Sequence, residues 1–155
     1  MSFADLLGQP VATRILTLAL ARGQVHHAYR FEGPDGVGKE RAAFALAQAL
    51  VCSEPTSEGL ACGACSACRR ALSLSPEEPC VPLHPDVILV ARGLYSKTLG
   101  KAESNGISVQ QIREVVMSRA GYSPHEGRAM VFIIRDAHEL TVQAANALLK
   151  TLEEP

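Results

Sequence analysis

A lysine and three glycines between positions 33 and 39 have the types and spacing of a phosphate-binding site. Gly33, Gly38 and Lys39 fit the pattern G-x-x-x-x-G-K-[ST], in which backbone N–H groups and a lysine ammonium surround the phosphates of a nucleotide. The last position holds Glu40, whereas the pattern requires a hydroxyl that binds Mg²⁺. A carboxylate there adds negative charge beside the phosphate oxygens. The segment therefore predicts a nucleotide-binding loop that has lost a magnesium ligand.

The flanking sequence has the order that such a loop requires. His27–Phe31 is a short run with aromatic residues, which predicts a buried strand. Lys39–Val51 is rich in alanine and leucine and lacks Gly and Pro, which predicts a helix. Strand, loop and helix therefore follow one another along the chain. The simpler alternative is a glycine-rich turn at the surface.

A second apolar segment predicts the other half of the nucleotide site. Val131–Ile134 is a continuous apolar run, and phosphate-loop proteins usually place Asp and then Glu after such a strand, one for Mg²⁺ and one for the attacking water. Here the run is followed by Arg135, Asp136 and Ala137. If Arg135 aligns with the expected Asp, a cation replaces the Mg²⁺ ligand. If Asp136 aligns with that Asp, Ala137 replaces the Glu that would position the attacking water. Both alignments predict that ATP is not hydrolysed.

Glu40 and Arg135 are expected to face each other. In a phosphate-loop fold, the start of the helix and the end of the strand approach the same Mg²⁺ from opposite sides, and these two side chains carry the inverse of the charges that metal binding needs. We therefore predict an ion pair that fills the metal position, because arginine can pair with a carboxylate through two hydrogen bonds. The alternative is two separate, solvated surface charges.

Four of the five cysteines have the spacing of a metal site. Cys52, Cys62, Cys65 and Cys68 form the pattern C-x₉-C-x₂-C-x₂-C, which suits tetrahedral Zn²⁺ because the x₂ turns direct sulfurs toward one centre. In a reducing compartment these thiols are not expected to form disulfides. Four sulfur ligands leave no open position, so the predicted role is structural rather than that of a zinc enzyme. Cys80 is predicted to be a spare thiol.

Composition limits the class of protein. The chain has 155 residues, of which 47% are hydrophobic and 20% charged, which suits one globular domain with a real core. No apolar run approaches the ~20 residues of a membrane span, and the amino end lacks an export signal, so a cytoplasmic location is expected. The net charge of −1 argues against strong binding of nucleic acid by this chain alone.

The remaining segments alternate between strands and helices. A second buried strand is predicted at Val87–Val90, after His84-Pro-Asp86, and a third at Met130–Ile134. The predicted helices are Pro10–Leu20, Ser66–Leu74, a segment capped by Ser108 and Gln111, and Thr141–Leu152. Residues 91–106 are predicted to form a polar loop. Alternation of this kind predicts a parallel sheet covered on both faces.

With these features in view, the chain resembles the nucleotide-binding domain of bacterial clamp-loader subunits, which load the sliding clamp for DNA polymerase III. The matching stretches are Leu7–Gln9, His26–Tyr29, Gly33–Lys39, the four cysteines, Gly127–Leu140 and, most specifically, Asn146–Pro155. Among the members it most resembles the delta-prime type, because of His84-Pro-Asp86, the polar loop and the altered magnesium positions. The alternative is an ATP-hydrolysing subunit of the tau/gamma type.

The resemblance implies a fold and a domain arrangement. The implied fold class is α/β, a P-loop NTPase of the RecA-like AAA+ kind with a three-layer parallel sheet and an inserted Cys₄ zinc module. Residues 1–155 would form the AAA+ domain, with the zinc insertion at 52–68. The carboxyl end is expected to be that of a truncated fragment, with the arginine-finger motif and the collar domain beyond it.

The resemblance also implies site residues and partners. The nucleotide-contacting positions carried over are Gly33, Gly36, Gly38, Lys39, Glu40, Arg135 and Asp136, and the zinc ligands are the four cysteines. Structural Zn²⁺ and weak ATP or ADP binding are expected, without Mg²⁺. The expected role is a non-hydrolysing stator within the DNA polymerase III holoenzyme. Its expected partners are the tau/gamma and delta subunits and, indirectly, the sliding clamp and primed DNA, with no membrane.

Overall fold

Two parallel strands form the sheet that positions the predicted site. In this computed structural model, which describes residues 3–100 and 105–153, β1 (Val87–Val90) pairs with β2 (Val131–Ile134) in the register Val87 to Val131 and Val90 to Ile134. Every residue of β1 is buried, as expected for a continuous apolar run in a parallel sheet. The prediction of a buried strand at Val87–Val90 is confirmed, whereas the second strand begins one residue later than predicted and is half-buried except at Ile133.

The helices lie close to their predicted positions. The α-helices are α1 (Pro10–Ala21), α2 (Lys39–Val51), α3 (Ser66–Leu72), α4 (Val109–Gln111), α5 (Ser118–Ala120) and α6 (Val142–Glu153). A π-helical segment, Ile112–Met117, joins α4 to α5, and 3₁₀ turns lie at Phe3–Asp5 and Ala137–Glu139. Helix α3 ends two residues before its predicted end. Among the described residues no helix is long and apolar enough to cross a membrane.

Helices pack against both faces of the sheet. On one face, Ile88 and Val90 belong to a buried cluster with residues of the 109–120 helical segment and of α6. On the other face, Val87 and Leu89 belong to a cluster with residues of α2 and α3. Alternate residues of one strand point to opposite faces, so a four-residue strand can serve both clusters. The described sheet has two strands, and the wider sheet of a RecA-like fold stays a prediction.

The predicted first strand at His27–Phe31 is wrong in the described part of the chain. These residues form no regular strand, and the ladder of hydrogen bonds runs only between β1 and β2. The rings of Tyr29 and Phe31 instead stack with centroids 6.4 Å apart and pack against the buried cluster between α1 and α2. The aromatic run therefore indicated packing rather than strand pairing.

The predicted helix cap at Ser108 is half formed. The Ser108 hydroxyl accepts a hydrogen bond from the backbone N–H of Gln111 at 3.2 Å. A full capping box would turn the Gln111 side chain back to the Ser108 backbone. The Gln111 amide instead donates to the Ala91 carbonyl at 2.8 Å, which ties the start of α4 to the residue after β1. The predicted loop at 91–106 is described except for residues 101–104, which lie outside the described part.

A buried aspartate fixes the amino end of β1. Asp86 is fully buried, and its carboxylate accepts hydrogen bonds from the backbone N–H groups of His125, Glu126 and Gly127 at 2.6, 2.8 and 2.7 Å. Its own backbone N–H donates to Nδ1 of His84, which is also buried, at 3.1 Å. Asp86 therefore holds the loop that leads into β2 against the start of β1.

Candidate nucleotide and metal sites

The glycine loop has a backbone conformation that residues other than glycine rarely adopt. Gly33, Gly36 and Gly38 have φ angles of +146°, +79° and +97°. Gly38 is also the N-cap residue of α2, and a β-carbon at Gly38 would lie 3.1 Å from a methyl of Leu6. Glycine is therefore required both for the turn and for the close approach of the amino-terminal segment.

The start of α2 has the features of an anion site. No side chain caps this 13-residue helix, and the first N–H groups of a helix have no partner within it. The Lys39 ammonium lies across the loop, where it donates to the carbonyls of Gly33 and Pro34 at 2.8 and 2.9 Å, and the Asp35 carboxylate is 3.7 Å away. Phosphate oxygens suit these donors and the positive end of the helix dipole. The residues present therefore fit the phosphates of a nucleotide.

The predicted ion pair between Glu40 and Arg135 is present. Nη2 of Arg135 donates to Oε1 of Glu40, and the two side chains are 39% and 49% exposed. The backbone N–H of Arg135 also donates to the Val90 carbonyl at 2.9 Å, which continues the sheet ladder beyond β2. The prediction that the charges would pair is confirmed. That the pair occupies the place of Mg²⁺ stays a prediction.

These residues do not fit a magnesium ion bound in the usual way of a phosphate-loop protein. The only carboxylate at the start of α2, Glu40, is paired with a guanidinium. The candidate ligand on the strand side, Asp136, is exposed and has a left-handed backbone with φ of +51°. A divalent cation would meet the positive charge of Arg135 at this position. No step of a reaction is therefore assigned to Mg²⁺ here.

The four predicted metal ligands come together. The sulfurs of the four cysteines all lie within 4.8 Å of one another, and Cys52–Cys65 and Cys62–Cys68 are each separated by 3.9 Å between sulfurs. A tetrahedron with Zn–S bonds of about 2.3 Å has sulfurs about 3.8 Å apart. The donor set therefore fits one tetrahedral Zn²⁺. Cys80 is exposed and lies outside this cluster.

Backbone amides surround the sulfurs. The N–H groups of Cys62, Cys65 and Cys68 donate to the sulfurs of Cys52, Cys62 and Cys65 at 3.3–3.4 Å. Burial raises the pKa of Cys65, but hydrogen bonds with Ser53 and Cys68 outweigh it and lower the pKa to about 5. Burial raises the pKa of the Cys52 and Cys68 thiols. Because a metal binds thiolates, binding here would release protons.

The cysteine cluster is joined directly to α2, the helix that follows the glycine loop. Cys52 is the C-cap residue of α2, and the amide of Gln48, which is 1% exposed, donates to the Cys68 carbonyl at 3.0 Å. From α3, Arg70 donates to both carboxylate oxygens of Glu126, the residue whose N–H binds Asp86. Helix α2 therefore has the candidate phosphate loop at its amino end and the cysteine cluster at its carboxyl end.

Arg128 ties the same end of α2 to the segment before β2. Its guanidinium donates to the Ala49 carbonyl at 2.7 Å, and its backbone N–H donates to the Leu50 carbonyl at 3.2 Å. We expect Arg128→Ala to lower the free energy of unfolding by about 1 kcal/mol, because the Ala49 carbonyl loses its guanidinium donor while the backbone bond to Leu50 stays. Urea denaturation measures the change, with Arg113→Ala as the control at an exposed arginine. An Arg128 variant as stable as the wild type would contradict this role.

Several of these contacts were not predicted. The anchoring carboxylate of Asp86, the Arg70–Glu126 pair and the Gln48 contact all join residues that are distant in sequence. The one local signal was a charged residue directly before a wholly apolar strand, which favours a buried and fully paired carboxylate. The structure brings the loop, Glu40 and Arg135 together as predicted.

Comparison with known proteins places the chain in a family. A family model described as DNA polymerase III, delta subunit, matches residues 8–155. The chain belongs to the DNA polymerase III clamp-loader family. Similar curated proteins include DNA polymerase III subunit gamma/tau of Mycobacterium tuberculosis, 39% identical over 155 residues. Subunit tau of Bacillus subtilis is 36% identical and subunit tau of Escherichia coli is 32% identical, each over 154 residues.

The matches cover this clamp-loader domain but only part of its relatives. Each alignment includes 99% of the chain and between 21% and 23% of the relative. The names gamma/tau and tau contradict the assignment to the delta-prime type and fit the tau/gamma alternative better. That assignment depended on His84-Pro-Asp86, the polar loop at 91–106 and the altered magnesium positions, whereas the identity extends along the whole chain. The P-loop NTPase fold class follows from the family.

Proposed function

We propose that this chain is the nucleotide-binding domain of a tau/gamma-type subunit of the DNA polymerase III clamp loader, and that its glycine loop binds ATP. The observation that carries the binding is the loop, in which left-handed glycines precede an uncapped helix start and Lys39 lies across the turn. The names of the relatives support the tau/gamma type.

The proposal includes partners and a metal. The partners are the other clamp-loader subunits and, through them, the sliding clamp and primed DNA during replication. Zn²⁺ on the four cysteines has a structural role, because it would hold α3 against the end of α2. We further propose that residues 1–155 form one AAA+ domain with residues 52–68 as an insertion.

A second candidate is a subunit of the same complex that binds nucleotide without hydrolysing it. The Glu40–Arg135 ion pair favours this candidate, because the two side chains that we predict at the magnesium positions pair with each other. Catalysis of phosphoryl transfer depends almost entirely on positioning and on metal-assisted charge stabilisation. An ATP-hydrolysing subunit would need another metal ligand.

A binding measurement with Lys39→Ala tests the proposed function. We expect fluorescent ATP to bind the wild-type domain and to bind the variant at least tenfold more weakly. The reason is that the Lys39 ammonium lies across the loop, where it can donate to the phosphates. Lys150→Ala, an exposed lysine on α6, is the matched control and should bind like the wild type. Absence of binding by the folded wild type would overturn the proposal. Steady-state turnover that Lys39→Ala abolishes would favour the hydrolysing subunit over the second candidate.

A further inference from the structure

Arg135 supplies a positive charge where a phosphate-loop protein normally relies on Mg²⁺. We propose that Arg135 takes over this role, so that the site binds nucleoside triphosphate as the metal-free anion. Glu40 then acts as a positioning residue that holds the guanidinium beside the start of α2. The inference rests on the proposed function only in that the loop must bind a nucleotide, and it agrees with the non-hydrolysing second candidate, because hydrolysis would need the metal.

The backbone places Arg135 on the ligand side of the sheet. Its N–H bonds to the Val90 carbonyl, so it extends β2 by one residue at the carboxyl end of both strands. In α/β folds with parallel sheets, ligands bind beyond this end of the strands. The pairing with Glu40 shows that the guanidinium reaches the first turn of α2, where Glu40 directly follows Lys39 in the sequence. Two cationic side chains thus lie at the edge of the phosphate loop.

The hydrogen bonds of Arg135 are incomplete in the described structure. A guanidinium has five N–H donors, and one nitrogen is used by Glu40. Its Nε–H is buried and has no acceptor among the described residues, and 39% of the side chain is exposed. A group so buried is out of reach of a ligand, so a phosphate would have to meet the terminal nitrogens of the guanidinium. The N–H groups of those nitrogens that Glu40 does not use can donate to phosphate oxygens, and arginine can bind phosphate through two parallel hydrogen bonds.

The same geometry disfavours binding of a nucleotide as its Mg²⁺ complex. Mg²⁺ on the β- and γ-phosphates would lie against the guanidinium, and like charges at short distance repel. The carboxylate of Glu40 cannot bind the metal without giving up Arg135. A metal-free triphosphate carries more negative charge, which favours contact with Lys39 and Arg135 together. The site therefore selects the free anion over its magnesium complex.

Titration of ATP into the domain with excess EDTA, and separately with excess Mg²⁺, tests the inference. We expect Kd in EDTA to be several-fold to about tenfold lower than Kd in Mg²⁺. A Kd that Mg²⁺ leaves unchanged or lowers would overturn the inference while leaving the proposed ATP binding intact. Failure to bind in either buffer would overturn both.

Variants locate the effect at Arg135. We expect Arg135→Gln to weaken metal-free ATP binding about tenfold, whereas the exposed-arginine control Arg113→Gln should leave it unchanged. The double substitution of Glu40→Thr with Arg135→Asp restores a hydroxyl and a carboxylate, and should make Mg²⁺ strengthen binding by tenfold or more. Circular dichroism checks that each variant is folded. Unchanged metal-free binding in folded Arg135→Gln would contradict the assigned role.

Discussion

Removal of Zn²⁺ from the four-cysteine cluster is expected to lower the free energy of unfolding by about 4 kcal/mol when free zinc is about a thousandfold above its Kd. The sulfurs already have the spacing of a tetrahedral site, so the metal binds the folded chain far better than the unfolded chain. Without it, α3 keeps its packing on α2 and on the sheet, and the contacts of Gln48 and Arg70. Urea denaturation of zinc-loaded and chelator-treated protein measures the difference.

Single cysteine variants show whether the cluster is responsible. Cys68→Ser removes a buried ligand and should lose both the zinc and the stabilisation, whereas Cys80→Ser should keep both, because Cys80 is exposed and outside the cluster. Co²⁺ substitution provides a second measurement, since tetrahedral thiolate coordination gives a characteristic absorption in the wild type. A reduced, folded wild-type protein that contains no zinc and takes up no Co²⁺ would refute the metal site.

Asp86→Asn is expected to lower the free energy of unfolding by about 3 kcal/mol at neutral pH. The carboxylate accepts three backbone N–H groups, and an amide of the same shape would turn an N–H donor toward at least one of them. A buried donor without an acceptor then adds its desolvation cost to the lost charge-assisted hydrogen bonds. The loop from His125 to Gly127 would loosen, and with it the partner of Arg70.

The effect of Asp86→Asn should depend on pH. Burial raises the pKa of Asp86, but the hydrogen bonds from Gly127, His125 and Glu126 outweigh it, so the folded pKa lies below the usual value. The stabilisation is therefore fully present above the unfolded pKa of about 3.9 and is lost as the pH falls through the folded pKa. The stability difference between wild type and variant should shrink correspondingly in acid.

Denaturation of both proteins at neutral and acidic pH measures this dependence. Asp35→Asn is the control, because Asp35 is fully exposed in the glycine loop, and its effect should stay within about 0.5 kcal/mol. A loss below about 1 kcal/mol for Asp86→Asn at neutral pH would show that the three amide bonds do not anchor the loop. A difference that does not change with pH would contradict the lowered pKa.

The sequence predicted the features that depend on local spacing. The loop glycines, Lys39 and the four cysteines could be found because the motifs are compact and their chemistry restricts residue type. The Glu40–Arg135 pair was predictable across a long separation only because the fold brings a helix start and a strand end together. The prediction of a strand at His27–Phe31 was wrong because a short run with aromatic residues does not reveal whether a neighbouring strand is available for pairing.

Tertiary contacts between distant residues were beyond prediction. Nothing in the local sequence shows that Asp86 binds the loop at 125–127 or that Gln48 reaches Cys68, because those partners meet only after the helices have packed on the sheet. The subunit type was also misjudged. The prediction used three local features, namely His84-Pro-Asp86, the polar loop at 91–106 and the altered magnesium positions. Similarity along the whole chain is better evidence of descent, and here the relatives carry the names tau and gamma/tau.

We propose that the chain retains a nucleotide loop in which the Glu40–Arg135 ion pair stands in the place of the metal. Anomalous diffraction from a crystal of the domain with a non-hydrolysable ATP analogue, Mn²⁺ and Zn²⁺ tests it most directly. We predict triphosphate on the loop beside Lys39, a terminal nitrogen of Arg135 within hydrogen-bonding distance of a phosphate oxygen, and no manganese peak there. A manganese ion coordinated by Glu40 or Asp136 together with the phosphates would contradict the account.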